Sequence, residues 1–472
     1  MGQEIETTRF NAEDFAAFQA RLRAETDLLA AWLRDGVLDG GEPQGGFELE
    51  AWLVGASLEP APLIGRLMER LPDDALIPEL ATFNAEINGT PQGLHGDALS
   101  RLAAELDATW ARCDQAAAAI GARLAMIGIL PTVRPEHLTL AHMSPRRRYR
   151  ALNEQILALR RGRPLTLAIV GRDHLAITHQ DVMLESAATS FQVHLRVGAR
   201  EAARVYNASK ILAAPMVAIS ANSPYLFGRD LWCETRIPLF EQAVSVGGSI
   251  LAERVNFGIR YAEHSILECF EANLARYPAL LPQLMDEPPE RLAHLRLHNG
   301  TIWRWNRPLI GFDAKGAPHL RIEHRVVPAG PTVTDAIANA ALYFGAVHAL
   351  IHDDPSPESR LPFLAARTNF YSAAREGLPA EIQWLDGGVR PVATVIAGDL
   401  LPRARRGLLG LGIDAAEVDH WLGVITARLE AGRTGAAWQR AYVARHGADM
   451  AALTAAYLER QQGGRPVHEW AL

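Results

Sequence analysis

The stretch HLRIEHRVVP, residues 319–328, decides the fold. With the two-residue period of a strand, Leu320, Ile322 and His324 fall on one face, and Arg321, Glu323 and Arg325 on the other. The first face can pack against a core. The second presents cation, anion, cation, a pattern suited to a site that handles several negative oxygens and a metal. The plainer alternative is a salt-bridged strand face turned to water.

The same period recurs elsewhere in the chain. In FELEAW, residues 47–52, Glu48 and Glu50 share a face opposite Phe47 and Leu49, although Ala51 and Trp52 disturb strict alternation. Two neighbouring carboxylates hold hard divalent cations or tune a proton site; a solvated edge strand would look alike. FNAEINGTP, residues 83–91, adds Glu86 and Asn88 at the same spacing, either completing an oxygen-rich metal site or satisfying a turn. In SFQVHLRV, residues 190–197, Gln192, His194 and Arg196 point together while Phe191, Val193 and Leu195 alternate with them. Histidine ligates metals and arginine grips carboxylate or phosphate. Within 319–328, Glu323 is the metal-ligand candidate and Arg321 and Arg325 the anion binders. His324 faces away.

Helical spacing of apolar residues marks 11–34, 98–124, 199–220, 264–279 and 333–350, and residues 415–464 are helix-rich. Long helices thus separate short strands without a regular strand–helix–strand repeat. This predicts an α+β fold with a largely antiparallel sheet and long helices. DDPSPESR at 353–360 and PRARRG at 402–407 read as loops, and the alternation in TIWRWNRP at 301–308 as a strand. Residues 1–410 form one unit in this reading, with 411–472 a helix-rich extension packed on it.

The 472 residues are 49% apolar and 21% charged, enough for a large core, and the formal net charge of −7 argues against nonspecific nucleic-acid binding. Cys113, Cys233 and Cys269 have neither metal-type spacing nor a disulfide framework. The N-terminus has no secretory signal, and no uninterrupted apolar segment suggests a membrane span. A cytoplasmic protein with no membrane partner is expected. The basic run HMSPRRRYR, 142–150, either meets phosphates or an acidic substrate or starts a solvated helix. GVLDGGEPQGG lacks the lysine and hydroxyl of a phosphate-binding loop. In AISANSPYLFG, Asn222 and Ser223 suit either a polar ligand or a turn.

Taken in order, GFELEAWLV, AEINGTP, IGILPT, SFQVHLRV, AISANSPYLFG, ETRIPLFE, LRIEHRVVP and NFYSAAREGLPAEI resemble the glutamate–cysteine ligase type 2 and carboxylate–amine ligase family over residues 43–382. The resemblance implies the catalytic fold of glutamine synthetase and guanidino kinases. It also implies ATP and Mg2+ as cofactors, a small carboxylate such as glutamate activated as an acyl phosphate, and an amine, such as an amino acid, that attacks it. By the same resemblance Glu48, Glu50, Glu86, His194 and Glu323 hold metal. It also implies that Glu323, Arg325 and Arg236 are catalytic; Arg325 is expected to bind phosphate, and the strand faces and the turn add Arg196, Arg321 and Asn222 as expected nucleotide or substrate binders. A homodimer is implied as well. Arg196 stands where many members carry an acid, and His324 where many carry an apolar or aromatic residue. Those departures, with the C-terminal extension, leave the substrate pair open. A noncatalytic ATP-binding regulatory or assembly protein and a small-molecule kinase are the alternatives.

Overall fold

Eight strands build the main sheet, and every pairing in it is antiparallel. The structure, a computed structural model, describes residues 4–72, 75–247 and 252–472. Across the sheet run Asn306–Phe312, Pro318–His324, Phe191–Val197, Gln44–Gly55, Asn84–Asn88 and Ile77–Pro78; Gln92–Gly93 and Ala122–Ala125 also pair with Gln44–Gly55. With the long helices this is the α+β architecture that the strand and helix periods predict.

Alternation sorts the two faces. Phe47, Leu49, Phe191, Val193, Leu320 and Ile322 are buried, and the helices Ala199–Ser220 and Val333–Ile351 cover the sheet. His324 joins this apolar side, stacked 4.4 Å from Tyr343 with its Nδ1 2.7 Å from Asn306 Oδ1. Trp52 does not break the alternation of its strand. It stacks on Phe83 and donates its indole N–H to the Ile127 carbonyl at 3.2 Å. Val333–Ile351 is long and apolar enough to cross a membrane, but 83% of that window is buried inside the protein. It is the central core helix of this fold.

Four local expectations change, one of them at 353–360, where Pro357–Arg360 is a short helix opened by its proline and not a loop. The helix expected over 98–124 ends at Ala118, where Gly121 adopts φ +78° and turns the chain into the Ala122–Ala125 strand. PRARRG is not a loop but part of the helix Leu401–Leu411: Pro402 sits in the first turn, where proline is tolerated, and Ala404 and Leu408 bury one face. TIWRWNRP becomes a strand only from Asn306 onward.

The helices beyond residue 411 are tied to the core by buried polar contacts. Arg428 donates to Asp335 at 2.8 Å and to Asn339 at 2.6 Å, Gln439 to Asn222 at 3.0 Å, and the Tyr457 hydroxyl to the Met126 carbonyl at 2.7 Å. Helix Leu401–Leu411 crosses Val333–Ile351 at Gly345 and Gly407. A Cβ on Gly345 would lie 2.3 Å from the Ala404 carbonyl oxygen, which is backbone and cannot yield. Gly345→Ala is therefore expected to destabilise the protein by about 1–3 kcal/mol, as overpacking does. The urea unfolding midpoint measures this.

Candidate active site

Strand register assembles the site. Glu50 lies opposite Glu86, Glu48 opposite Gln192, His194 opposite Glu323, and Glu323 opposite Arg307. Directly opposed residues share a face, so side chains far apart in sequence form one polar row. Gly46 is the residue opposite His194. His194 Nε2 lies 3.6 Å from Glu48 Oε1 and 3.9 Å from Glu323 Oε1.

Glu323 is fully buried. Arg307 forks onto it through two 2.9 Å bonds, from Nε to Oε2 and from Nη2 to Oε1, and Arg325 Nη1 donates to Oε2 at 3.2 Å. Burial alone would raise the pKa of this carboxyl; Arg307 and Arg325 overcome that and hold it well below the usual carboxylate range. Arg321 donates its Nε to His194 Nδ1 at 3.0 Å. A guanidinium has no acceptor, so Nδ1 accepts and a neutral imidazole carries its proton on Nε2, between the two carboxylates. Burial lowers the His194 pKa to about 4 and keeps the ring neutral.

Two adjoining compartments open over this row. Glu48, Arg296, Asn299, Arg321 and Glu323 line the first, with Leu281, Leu295, Leu297 and Leu309 as an aliphatic wall. Glu50, Glu79, Glu86, Glu185, Gln192 and Arg325 line the second, beside Trp303 and Tyr149. Arg148, Leu152, Gly300 and Arg307 border both. Glu50 accepts the Ser190 N–H at 2.7 Å and the Gln192 amide at 3.0 Å; Glu86 accepts the Asn88 amide at 2.8 Å.

Sequence reasoning missed Glu79 and Glu185. Glu79 follows the two-residue strand Ile77–Pro78, and Glu185 sits in the short helical turn Val182–Ala187, so neither carries a strand period. Arg148 lies in the basic run 142–150, expected to meet phosphates or an acidic substrate or to start a solvated helix, and Arg307 in the stretch 301–308 expected as a strand.

The other expected site residues are placed elsewhere. Arg236 is buried beneath Arg325. It donates to the carbonyls of Val326 at 2.6 Å and Arg325 at 3.2 Å and pairs with Glu234 at 3.2 Å. It positions the end of the Pro318–His324 strand and lines neither compartment. Asn222 spends its amide on Ala329, Tyr457 and Gln439 inside the core. Arg196 reaches Gln44 and Gly40 at the far end of its strand. The structure thus gathers Glu48, Glu50, Glu86, His194, Arg321, Glu323 and Arg325, and leaves Arg236, Asn222 and Arg196 out.

The donor set fits a hard divalent cation. One ligand atom each from Glu48, His194 and Glu323 lie within 4.8 Å of one another, and all three residues are buried. His194 can offer Nε2 to a metal only if Arg321 releases Nδ1. In the second compartment burial, then Glu79, raises the pKa of Glu50 to about 7. Burial, then Glu79 and Glu50, raises Glu185 to about 8. Both folded-state pKa values exceed that of the unfolded chain, so their stabilising protonation is complete below about pH 4.5 and lost as pH rises toward 8. Metal-free protein should therefore melt several degrees lower at pH 8 than at pH 5.5. Added Mg2+, which competes with protons for these carboxylates, should raise the melting temperature more at pH 8. A Mg2+ effect independent of pH would contradict the assignment.

A model of glutamate-cysteine ligase family 2 matches residues 44–457, and with it the class is set: a ligase of the carboxylate–amine type. The chain belongs to glutamate–cysteine ligase family 2, and the match carries well into the helices beyond residue 411. One solved structure shares the fold. The glutamate–cysteine ligase of Francisella tularensis, in complex with AMP, aligns at a TM-score of 0.56 and 10% identity over 90% of each chain. A bifunctional glutathione synthetase from Pasteurella multocida aligns at 0.49 and 11% identity, covering 89% of this chain and 53% of that one. No curated protein matches the chain by sequence.

Proposed function

We propose that the enzyme uses ATP and Mg2+ to phosphorylate a small amino-acid carboxylate, glutamate first among candidates, and passes the acyl group to the amine of a second amino acid. One observation carries the reading: two compartments, one with an aliphatic wall and one with four carboxylates, meet at Arg307 and Arg148 over a single charged row. The aliphatic compartment suits a purine ring, and the AMP in the Francisella tularensis relative supports nucleotide binding at this fold. The acidic compartment suits substrates that bear an ammonium group.

Mg2+ held by Glu48 and Glu323, and by Glu50, Glu79 and Glu86, would neutralise and orient the phosphate oxygens. The remaining work falls to the chain. Arg325 and Arg307, fixed by Glu323, face the junction where the γ-phosphoryl group would sit and meet the charge that builds on its oxygens. A carboxylate oxygen of the substrate attacks the γ-phosphorus, the bond to ADP breaks, and an acyl phosphate forms. The amine then attacks the acyl carbon, phosphate departs with that carboxylate oxygen, and the amine loses a proton. Glu185, which lines the same compartment outside the metal-holding set, would receive it.

The test supplies purified protein with ATP, Mg2+ and pooled carboxylates and amines, following ADP and phosphate while mass spectrometry searches for a condensed product. An ATP-dependent amide is expected. A stable phosphorylated acceptor would mean a kinase. ATP binding without any product across amino-acid pools would mean a regulatory protein.

A further inference from the structure

Behind the active site, on the other side of the 301–305 segment, lies a second concavity. It is lined by Arg304, Arg276 and Arg260, by Tyr206, Tyr277 and Asn256, and by one carboxylate, Glu268. Glu268 is already engaged. It accepts the N–H groups of Glu263, His264 and Ser265 and pairs with Arg260 at 3.0 Å.

Arg304 is the unusual member. It is only 7% exposed, and its Nε has no hydrogen-bond partner among the described residues. Only the phenols of Tyr206 and Tyr277 and the Cys269 thiol bear on its charge, and its Cζ stands 5.9 Å from the Tyr277 ring centre. Beneath it Lys210 is fully buried, its ammonium donating to the Phe257 carbonyl and lying 4.6 Å from the Tyr206 ring centre. Among the described residues neither cation has a carboxylate in ion-pair contact, and Arg304 disfavours the charge on Lys210. Buried cations are normally paired, because an uncompensated charge away from water is costly. Arg304 bonds to the side chains of Tyr206 and Tyr277, but its Nε is left over and it lines a cavity.

We propose that this concavity is an anion site for a single phosphate-class oxyanion, held by Arg304 and Arg276. Its volume of about 40 Å3 gives room for about three waters, which suits one tetrahedral oxyanion and excludes a nucleotide. Guanidinium groups are the side chains that match phosphate oxygens in a planar fork. The site is separate from the catalytic row: Arg304 follows Trp303, which lines the acidic compartment, but its own side chain is turned to the opposite side.

The test is equilibrium titration of the full chain with inorganic phosphate, comparing wild type, Arg304→Gln and Arg325→Ala. Saturable binding at about 1 mM or tighter is expected in wild type and Arg325→Ala, with at least a tenfold loss in Arg304→Gln. Loss in Arg325→Ala with full binding by folded Arg304→Gln would send the anion to the catalytic site and overturn the proposal. Absence of saturable binding in wild type would overturn it too. If Arg304→Gln does not fold, the exposed Arg276→Gln carries the test: weakening by severalfold is expected, and unchanged affinity overturns the assignment. Glycerol phosphate, run alongside, separates two sources of the same chemistry. Binding of the ester marks a phosphoryl group on a larger molecule, and its exclusion marks free phosphate.

Discussion

A Glu323→Ala enzyme should lose amide formation by at least about 10²–10³-fold and unfold about 3–5 kcal/mol more easily. The two losses have one cause. Glu323 is the shared counter-charge for Arg307, through a fork of two 2.9 Å bonds, and for Arg325. Its removal leaves two buried guanidinium groups facing each other without an anion, so they repel, shift and no longer present a fixed pair of donors at the junction of the compartments. Glu323→Gln keeps the shape but not the charge and should fall between. Urea unfolding and steady-state ADP release on the same preparations measure both effects. Wild-type turnover in a folded Glu323→Ala protein would remove Glu323 from the mechanism.

Arg325→Ala should separate activity from stability. Arg307 still forks onto Glu323 in this variant, so the carboxylate stays paired and the stability loss should be smaller than for Glu323→Ala. Turnover should nevertheless drop about 10²–10³-fold, the scale of losing a fixed donor to developing negative charge. Arg325→Lys restores the charge without the planar fork and should recover only part of the rate. Equal losses of stability in Glu323→Ala and Arg325→Ala, with turnover unchanged in the latter, would make Arg325 a structural residue.

The sequence exposed the site wherever the chain keeps the period of a strand. Glu48, Glu50, Glu86, His194, Arg321 and Glu323 were found because alternation places them on one face, and the antiparallel register then brings those faces together. The period also put His324 on the opposite face, where it stacks on Tyr343. What the period cannot report is depth and reach. Arg196 shares the face of His194, yet it lies at the end of its strand and turns to Gln44 and Gly40. Arg236 opens a helix, and only the three-dimensional path shows its guanidinium running under Arg325 to backbone carbonyls. Glu79 and Glu185 come from segments without a repeat, so nothing in their neighbourhood marks a direction. The fold was legible for the same reason the site was. Two of its misread pieces, 402–407 and 301–305, are those where polar residues or tryptophans obscure the apolar spacing.

The central claim is that the enzyme activates its carboxylate by direct phosphorylation. Once the amide-forming substrate pair is known, the carboxylate is supplied with 18O in both oxygens and the released phosphate is examined by mass spectrometry. Transfer of one 18O into phosphate for each amide formed is the predicted result, since the oxygen that attacked phosphorus leaves with it. Amide formation with unlabelled phosphate would contradict an acyl phosphate and the account built on it.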